Sequence, residues 1–537
     1  MSSDFNQVEP VLDIHDIQGN ILVGFNKDHQ TLLGFLIGDS NKAKEWIKLI
    51  SNRISTLYEV YHFNKIFKSQ RSRQKHEPIG VAATWINIAF SYNGMKNLVQ
   101  DIDKLDEHLD DAFKEGLAKR SSILGDPIDE SSIGNSKNWV IGRDETDGDH
   151  SIPDILIIVA SDSPSDLAKE VDQLINTAAK KNLTVIYNET GHDLSYYSED
   201  KRGKEHFGFK DGISRSGIRG RLSDGIKDFL TPRLEHTSEN NPFDIEYTSR
   251  GRPLVAAGEF VLGYPTQNEI YPRMVNPSKF IPELLRNGSY LVFRRLRQDI
   301  DGFENFINQE TKRLQSLQEF ADLNCEKLKA LLVGRWPSGA PLTLSPKKDD
   351  LSLAKDSDKN NQFGYSDDEN GYKTPTFSHI RKVNPRDLDT DIGDPAKNLK
   401  KKILRRGIPF GIPRDFVNSN DNNDRGLLFL SYQSSIEEQF EFLTQKWINN
   451  PKLPTNPARP ADSNEPNFGG GHDLIVGQTN ENNNRIRYGT ILRTVDNKIV
   501  EEIISTGSKG IFDWVIPTGG GYFFAPSIRS LTYIAEN

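Results

Sequence analysis

Cysteine is nearly absent from the sequence, with Cys325 as the single one among 537 residues. A disulfide within the chain is therefore impossible. A cysteine-rich zinc site, an iron–sulfur cluster and the Cys-x-x-Cys-His attachment of a c-type haem are excluded for the same reason. Any metal or cofactor must be held through other side chains.

Long apolar runs and an excess of basic charge are also missing. No window reaches eighteen apolar residues, which argues against a membrane span. The first ten residues are polar and acidic, so we expect no signal peptide and a cytoplasmic protein. The net charge of −9 and the pI of about 5.8 argue against a general nucleic-acid binder. Only 35% of residues are hydrophobic and the mean hydropathy is −0.60, which indicates polar insertions around an ordinary core.

Strand and helix patterns alternate along the whole chain. A turn feeding a short strand is predicted at 16–22, and longer strands are predicted at 80–91, 154–161, 183–188, 258–264, 288–294 and 426–433. Helices are predicted at 42–54, 163–181, 301–314 and 318–332, and another from 434 through 447. This interleaving favours an α+β fold built from ferredoxin-like split βαβ units.

The stretch from 377 to 411 is the most informative. His379 lies between an aromatic residue and a cluster of cations, and Arg405 and Arg406 follow about twenty-six residues later, before a Gly-Ile-Pro turn. A ferric haem needs an axial imidazole, cations for two propionates and a charged donor on the open face. The stretch supplies these residue types, although a solvated basic loop and a strand end would have the same pattern.

A second candidate segment runs from His206 to Ser214. Gly208 and Gly212 bracket a single acid, Asp211, in an otherwise aromatic loop, so the backbone turns tightly and the carboxylate projects from it. Asp-Gly is a common turn dipeptide and has a purely structural interpretation. An Asp above a haem, however, could carry a proton between the two oxygens of hydrogen peroxide.

Seven motifs, taken in order, resemble the dye-decolorising peroxidase family. They are Asp-Ile-Gln-Gly-Asn-Ile-Leu at 16–22, Gly-Phe-Lys-Asp-Gly at 208–212, Gly-Arg-Trp-Pro-Ser-Gly-Ala-Pro-Leu at 334–342, His-Ile-Arg-Lys at 379–382, Leu-Arg-Arg-Gly-Ile-Pro-Phe-Gly at 404–411, Gly-Leu-Leu-Phe at 426–429, and Gly-Gly-Gly-Tyr-Phe-Phe at 519–524. The resemblance implies two ferredoxin-like modules with antiparallel sheets enclosing haem b. We expect these modules at 15–236 and 248–537.

The resemblance also implies roles for residues on the proximal side of the haem. His379 is the expected axial ligand of the iron. Asp473 resembles the acid that accepts a hydrogen bond from the other ring nitrogen, although Leu474 stands where the family has proline. Such a bond would make the imidazole more anionic and stabilise oxidised iron. Arg386 is a candidate partner for a propionate.

On the distal side, Asp211 matches the family's acid and Arg405 its arginine. Arg405 is preferred to Arg406 because the family's arginine directly follows an aliphatic residue, although the sequence alone leaves this choice open. Leu427 and Phe429 match apolar residues that line the distal pocket. An unperturbed Asp has a pKa near roughly 3.9, so we expect dye oxidation to be best at acidic pH.

The implied function is a haem b peroxidase that reduces hydrogen peroxide and oxidises dyes, phenols or other organic donors by one-electron steps. The alternative is a protein that binds haem or handles its iron, with incidental peroxidase activity. A haem-free binding protein is a third possibility. No nucleic-acid or membrane partner is expected, and a monomer and a homodimer remain open.

Two further expectations concern the surroundings of the site. By residue type alone, Tyr432, Trp447 and Trp514 are candidates for passing electrons from bulky dyes, whereas His206 is expected to be an ordinary bonded or solvated histidine. Polar insertions at 347–373, 418–424 and 449–471 are predicted to be surface loops that shape access to the cofactor.

Overall fold

The computed structural model describes most of the chain. The described residues are 9–74, 81–100, 102–143, 151–225, 227–233, 245–248, 251–267, 281–417, 424–455, 470–479, 485–507 and 513–537. Parts of the insertions at 418–424 and 449–471 lie outside these ranges. Among the described residues, none of the helices has the length and apolar character needed to cross a membrane.

The described residues form thirteen strands, numbered here in chain order. They are β1 His29–Ile37, β2 Thr84–Phe90, β3 Ile155–Ser161, β4 Leu183–His192, β5 Gly217–Arg219, β6 Leu254–Ala256, β7 Ser289–Gln298, β8 Leu404–Arg405, β9 Ile408–Phe410, β10 Gly426–Gln433, β11 Tyr488–Val495, β12 Lys498–Ser505 and β13 Val515–Ala525.

The α-helices of the described residues are mostly short. They are Gly19–Leu22, Ser40–Ile50, Leu57–Gln74, Tyr92–Leu98, Asp111–Glu115, Leu117–Arg120, Pro164–Ala179, Ile300–Gln315, Cys325–Val333, Leu351–Lys355, His379–Lys382, Pro395–Asn398 and Ile528–Glu536. Two π-helical segments, Ile436–Glu441 and Leu443–Ile448, occupy the place of the helix predicted to run through Trp447.

Two four-stranded antiparallel sheets close into one barrel. The N-terminal sheet has the order β4-β1-β3-β2, and the C-terminal sheet has the order β13-β7-β10-β9, with β8 also paired to β10. Both orders are those of a ferredoxin-like βαββαβ unit. The sheets join where β13 meets β2 and where β4 meets β9. At the second seam a Cβ on Gly191 would lie 2.5 Å from the carbonyl oxygen of Pro409, so glycine allows this close approach.

Side chains alternate between the two faces of the barrel wall. On β10, Leu428 and Leu430 are fully buried in the apolar cluster inside the barrel, whereas Leu427 and Phe429 point to the opposite face. A strand has a side-chain period of two, so residues 427 and 429 must share that outer face. The α+β fold predicted from the sequence is therefore confirmed, while the module bounds 15–236 and 248–537 stay a prediction.

Several predicted elements were wrong. Residues 19–22 form a helix instead of a strand, because side chains make the hydrogen bonds that a neighbouring strand would otherwise make. The Gln18 side chain bonds to the backbone of Ile88, and the Asn87 side chain accepts from the backbone N–H of Asn20. The strand predicted at 258–264 is a 3-10 turn, Ala257–Glu259. The helix predicted at 318–332 is broken, because the Asn324 side chain caps a new helix by accepting from the backbone of Lys327.

The insertion at 347–373 is not a plain surface loop. It contains the helix Leu351–Lys355 and the buried residues Asn361, Tyr365 and Asp368. Arg381 fastens it to the His379 helix by donating to the carbonyl oxygens of Asp368 and Thr374, both at 2.8 Å. Polar groups of this insertion therefore form hydrogen bonds within the fold, with the backbone and with Arg381.

Candidate functional site

A cavity of about 360 Å³ lies against the outer face of the C-terminal sheet. Leu427 and Phe429 of β10 form part of its wall, as do Ile475 and Val515. A mostly apolar lining with a few convergent polar groups is typical of a cofactor or ligand pocket. Every site residue predicted from the sequence lines this cavity except Asp473, which lies directly behind His379.

On one wall, His379 is paired with a fully buried carboxylate. The Nδ1 atom of His379 lies 2.6 Å from Oδ2 of Asp473, whose side chain is 0% exposed. The other oxygen of Asp473 accepts from the backbone N–H groups of Ile475 and Val476 at 2.9 and 3.1 Å. Burial alone would raise the pKa of Asp473, but the His379 charge and these bonds outweigh burial, and the pKa is lowered.

The pair fixes the orientation of the imidazole. A carboxylate only accepts, so Nδ1 of His379 donates to Asp473, and in the neutral imidazole it is Nε2 that carries the lone pair. The next turn of the same helix is held by Lys382, whose Nζ donates to the carbonyl oxygens of Asn450 and Gly471 at 3.0 and 2.7 Å. Lys382 thus joins the histidine helix to the segment that carries Asp473.

Elsewhere on the lining of the same cavity, an acid and an arginine meet from distant parts of the chain. Nη1 of Arg405 lies 2.9 Å from Oδ1 of Asp211, and both side chains open into the cavity, 36% and 43% exposed. The glycines around Asp211 adopt left-handed backbone, with φ of 93° at Gly208 and 74° at Gly212, as the sequence predicted for a tight turn. Arg405 reaches the same point from β8, where it pairs with Ser431 of β10.

The Asp211 carboxylate is held in its ionised form. Burial alone would raise its pKa, but the charge of Arg405, the Gly212 N–H group at 2.6 Å and the Arg405 hydrogen bond outweigh burial. The net effect lowers the pKa below its usual value. Asp211 is therefore a base that stays available in mildly acidic solution.

The two neighbouring arginines have different surroundings. Arg406 does not line the cavity: it donates to the carbonyl oxygens of Asn20, Ile21 and Leu22 at 2.8, 2.9 and 3.0 Å. These bonds cap the carbonyl end of the helix Gly19–Leu22. The geometry thus brings Arg405 to the acid and assigns Arg406 to structure.

Another wall of the cavity carries cations that form no salt bridge with an acid in the described part of the chain. Arg386 is partly buried and donates to the carbonyl oxygens of Asn361 and Phe363, and its guanidinium lies 3.7 Å from the centroid of the Phe363 ring. Within the described residues its Nε has no hydrogen-bond partner. Arg335 donates to Oδ1 of Asn361 at 3.0 Å, and Lys402 donates to Oδ1 of Asn384. Neither cation forms a salt bridge to a described acid.

The shared positive charge of this wall is visible in the pKa values. Burial, followed by the charge of Arg386, lowers the pKa of Arg335 to about 9 and that of Lys402 to about 7. Neither Arg335 nor Lys402 was predicted from the sequence as a site residue. Arg335 belongs to the motif at 334–342, but its position beside Arg386 becomes apparent only in the folded structure.

The remaining candidates have other environments. Tyr432, Trp447 and Trp514 are all buried, at 1%, 1% and 0% exposed, so none is a surface contact for a dye. His206 bonds through Nε2 to the Phe410 carbonyl oxygen at 2.8 Å, and burial lowers its pKa to about 4. It is a neutral, bonded histidine, as expected.

Comparisons with known proteins agree with the motifs. Residues 16–193 match the DyP dimeric alpha+beta barrel domain, and residues 274–456 match the Dyp-type peroxidase, C-terminal family model. The chain is 31% identical to dye-decolorizing peroxidase msp1 of Mycetinis scorodonius, over 97% of this chain and 87% of that protein. It is 30% identical to dye-decolorizing peroxidase AauDyP1 of Auricularia auricula-judae, over 97% and 86%.

Solved structures give the same result. An ancestral D-type dye decolorizing peroxidase superposes with a TM-score of 0.73 at 29% identity, covering 97% of this chain and 98% of that one. A dye-decolorizing peroxidase in complex with 2,6-dimethoxyphenol superposes with a TM-score of 0.67 at 26% identity, covering 98% and 100%. A deferrochelatase of Yersinia pestis is 33% identical, but over only 19% of this chain and 18% of that protein.

Proposed function

Because the chain belongs to the dye-decolorising peroxidase family and is an enzyme of that type, we propose that it binds haem b non-covalently and reduces hydrogen peroxide. Its electron donors are dyes, phenols and other small organic molecules, oxidised one electron at a time. One observation carries the proposal: a single cavity is lined by a carboxylate-oriented imidazole and by an ionised acid paired with an arginine. The phenol bound to a solved relative supports the donor class.

The residues around the cavity fit an anionic haem. His379 would hold the haem iron through Nε2, since its Nδ1 is bonded to Asp473. Arg386 would bind a propionate, because its buried Nε lacks a partner among the described residues, and Arg335 and Lys402 add positive charge beside it. When bound, the haem iron supplies the redox chemistry that cleaves peroxide and oxidises donors.

Asp211 would transfer the proton of the peroxide, and Arg405 would stabilise the negative charge that forms on it. The Asp211 carboxylate takes the proton from one oxygen of peroxide and returns it to the other oxygen, which leaves as water. Arg405, charged at any working pH, orients the peroxide and stabilises negative charge on the leaving oxygen. Over a full turnover, one peroxide, two electrons and two protons give two molecules of water.

The lowered pKa of Asp211 supports an acidic working range. Arg405 favours the ionised carboxylate, so the base persists below the pH at which an ordinary Asp becomes protonated. On the acidic side, activity should therefore persist until Asp211 itself is protonated. Leu427 and Phe429 would keep this part of the cavity apolar and narrow, so that bulky dyes give up their electrons outside it.

The alternative of haem or haem-iron handling is less well supported. A haem carrier needs neither a proton-accepting acid nor a peroxide-orienting arginine, and both Asp211 and Arg405 are present in contact. The similarity to a deferrochelatase covers only 19% of the chain.

A stoichiometric experiment separates the two functions. The protein is loaded with haem b, given one equivalent of peroxide and excess 2,6-dimethoxyphenol, and assayed for oxidised phenol and for free iron. The peroxidase predicts two phenols oxidised for each peroxide, with the iron retained. Iron release without phenol oxidation would favour haem handling, and failure to bind haem would refute the proposal.

A further inference from the structure

Glu205 lies in a wall between two cavities. It lines the cavity that holds Asp211 and Arg405, and it also lines a second, outer cavity of about 290 Å³. It is six residues before Asp211 in the same loop. No other residue lining the outer cavity also lines the inner one, as far as the described residues show.

The Glu205 carboxylate is fixed in place by its surroundings. Oε2 accepts from the backbone N–H of Phe207 and Oε1 from that of Phe209, both at 2.9 Å. The side-chain amide of Gln298, on β7, also donates to Oε2. These bonds hold a group of variable protonation at one point of the wall, which is what a proton relay requires.

Unpaired polar atoms are found next to Glu205 on both sides. His206 lines the outer cavity, and because its Nε2 donates to Phe410, its buried Nδ1 is an acceptor without a partner in the described structure. Gln298 lines the inner cavity, and its buried Oε1 likewise lacks a described partner. A residue with an unsatisfied acceptor thus lines each of the two cavities that Glu205 separates.

The proposed peroxidase needs such a connection. Two protons are consumed in the inner cavity for each peroxide reduced, whereas donors oxidised outside it release their protons to bulk solvent. We propose that Glu205 passes these protons from the outer cavity toward Asp211. Glu205 takes a proton from water in the outer cavity, releases it to water in the inner cavity, and is ionised again for the next transfer.

The acid strength of Glu205 suits this role. Burial raises the pKa of Glu205 most, its three hydrogen bonds offset part of this rise, the negative charge of Asp211 adds to it, and the resulting pKa is about 7. Both forms are therefore populated near neutral pH. Among the described residues, the titratable or charged groups that line the outer cavity with Glu205 are Lys201, Lys204, His206, Arg414 and Asp415. The inner cavity adds Asp211, Lys210, Arg215 and Arg294.

The inference rests on the proposed peroxidase function, and Glu205→Gln tests it separately. In the wild type, turnover should fall as pH rises through about 7, because an ionised Glu205 has no proton to give. The variant should lose this pH limb, turn over about tenfold more slowly in acid and show a larger solvent isotope effect. Glu205→Asp should restore part of the rate. Glu199→Gln removes an exposed carboxylate of the nearby chain and should leave the rate and pH profile unchanged.

A second measurement needs neither haem nor peroxide. Infrared absorption of protonated carboxyl groups in the wild-type protein should contain a band that titrates near pH 7 and is missing in Glu205→Gln. If wild-type peroxidase activity is present but the pH profile, isotope effect and infrared titration are the same in the variant, the relay is refuted and the peroxidase stands. If the wild type has no peroxidase activity, the function itself fails.

Discussion

Replacing Asp473 by Asn changes one buried atom in the structure and has consequences at the proposed iron ligand. The carboxylate accepts on both sides, from His379 at Oδ2 and from the Ile475 and Val476 N–H groups at Oδ1. An amide has one oxygen and one NH₂ group. With its oxygen on the Ile475 and Val476 N–H groups, its NH₂ group faces Nδ1 of His379 and cannot accept from it, so the bond in which Nδ1 donates is lost.

The expected loss of haem affinity follows from the hydrogen bond between His379 and Asp473 that is lost. A hydrogen bond to a charged group is worth about 1.5 to 3 kcal/mol, and about 1.4 kcal/mol corresponds to a factor of ten, so haem affinity should fall about 10- to 150-fold. The Asp473 charge favours the more positive, oxidised iron. Since about 59 mV corresponds to a factor of ten for one electron, the reduction potential should rise by about 60 to 130 mV.

The assay combines haem titration of the apoprotein with spectroelectrochemistry of the loaded protein. Asp103→Asn is the control, because Asp103 is 75% exposed and only 3.9 Å from Lys96 in a surface pair. The control should change neither quantity. If Asp473→Asn leaves both the affinity and the potential at their wild-type values, the Asp473 and His379 pair is not attached to the iron, and the proximal assignment is wrong.

Three further predictions concern the cations. Arg386→Met should weaken haem binding about 10- to 150-fold by removing one charged hydrogen bond to a propionate, measured by titration with haem and with its dimethyl ester, whose binding should not change. Lys402 has a pKa of about 7 in the free protein, and a bound propionate would raise this pKa. Haem affinity should therefore be constant below pH 7 and fall about tenfold for each pH unit above it. A haem affinity that does not change with pH in the wild type would contradict this prediction. Arg406→Leu should lower stability to urea by about 3 kcal/mol, because three carbonyl groups lose their donor, whereas Arg405→Leu should affect peroxide reactivity and leave stability nearly unchanged.

Local sequence patterns are enough to predict much of the sheet and the residues that line the cavity. The alternation of Leu427 and Phe429 with Leu428 and Leu430 follows from a strand with two different faces, and the glycines around Asp211 follow from a tight turn. Such features depend on a few neighbouring residues, so a short stretch is enough to predict them.

Features that depend on distant partners were not predictable in this way. The helix at Gly19–Leu22 depends on side chains 67 to 386 residues away, because Asn87 accepts from its backbone and Arg406 donates to its carbonyl oxygens. Lys402 and Arg335 acquire low pKa values only through burial beside Arg386. The choice of Arg405 over Arg406 needed the contact to Asp211, 194 positions away in the sequence.

The central claim is that Asp211 moves the proton that lets peroxide be cleaved. Its most direct test is rapid mixing of haem-loaded protein with one equivalent of peroxide, comparing wild type with Asp211→Asn. The amide keeps the size of the side chain and its bond to Arg405, so haem affinity should be unchanged. The haem absorption band should change about 10² to 10⁴ times more slowly in the variant. A variant that reacts at the wild-type rate would contradict the account.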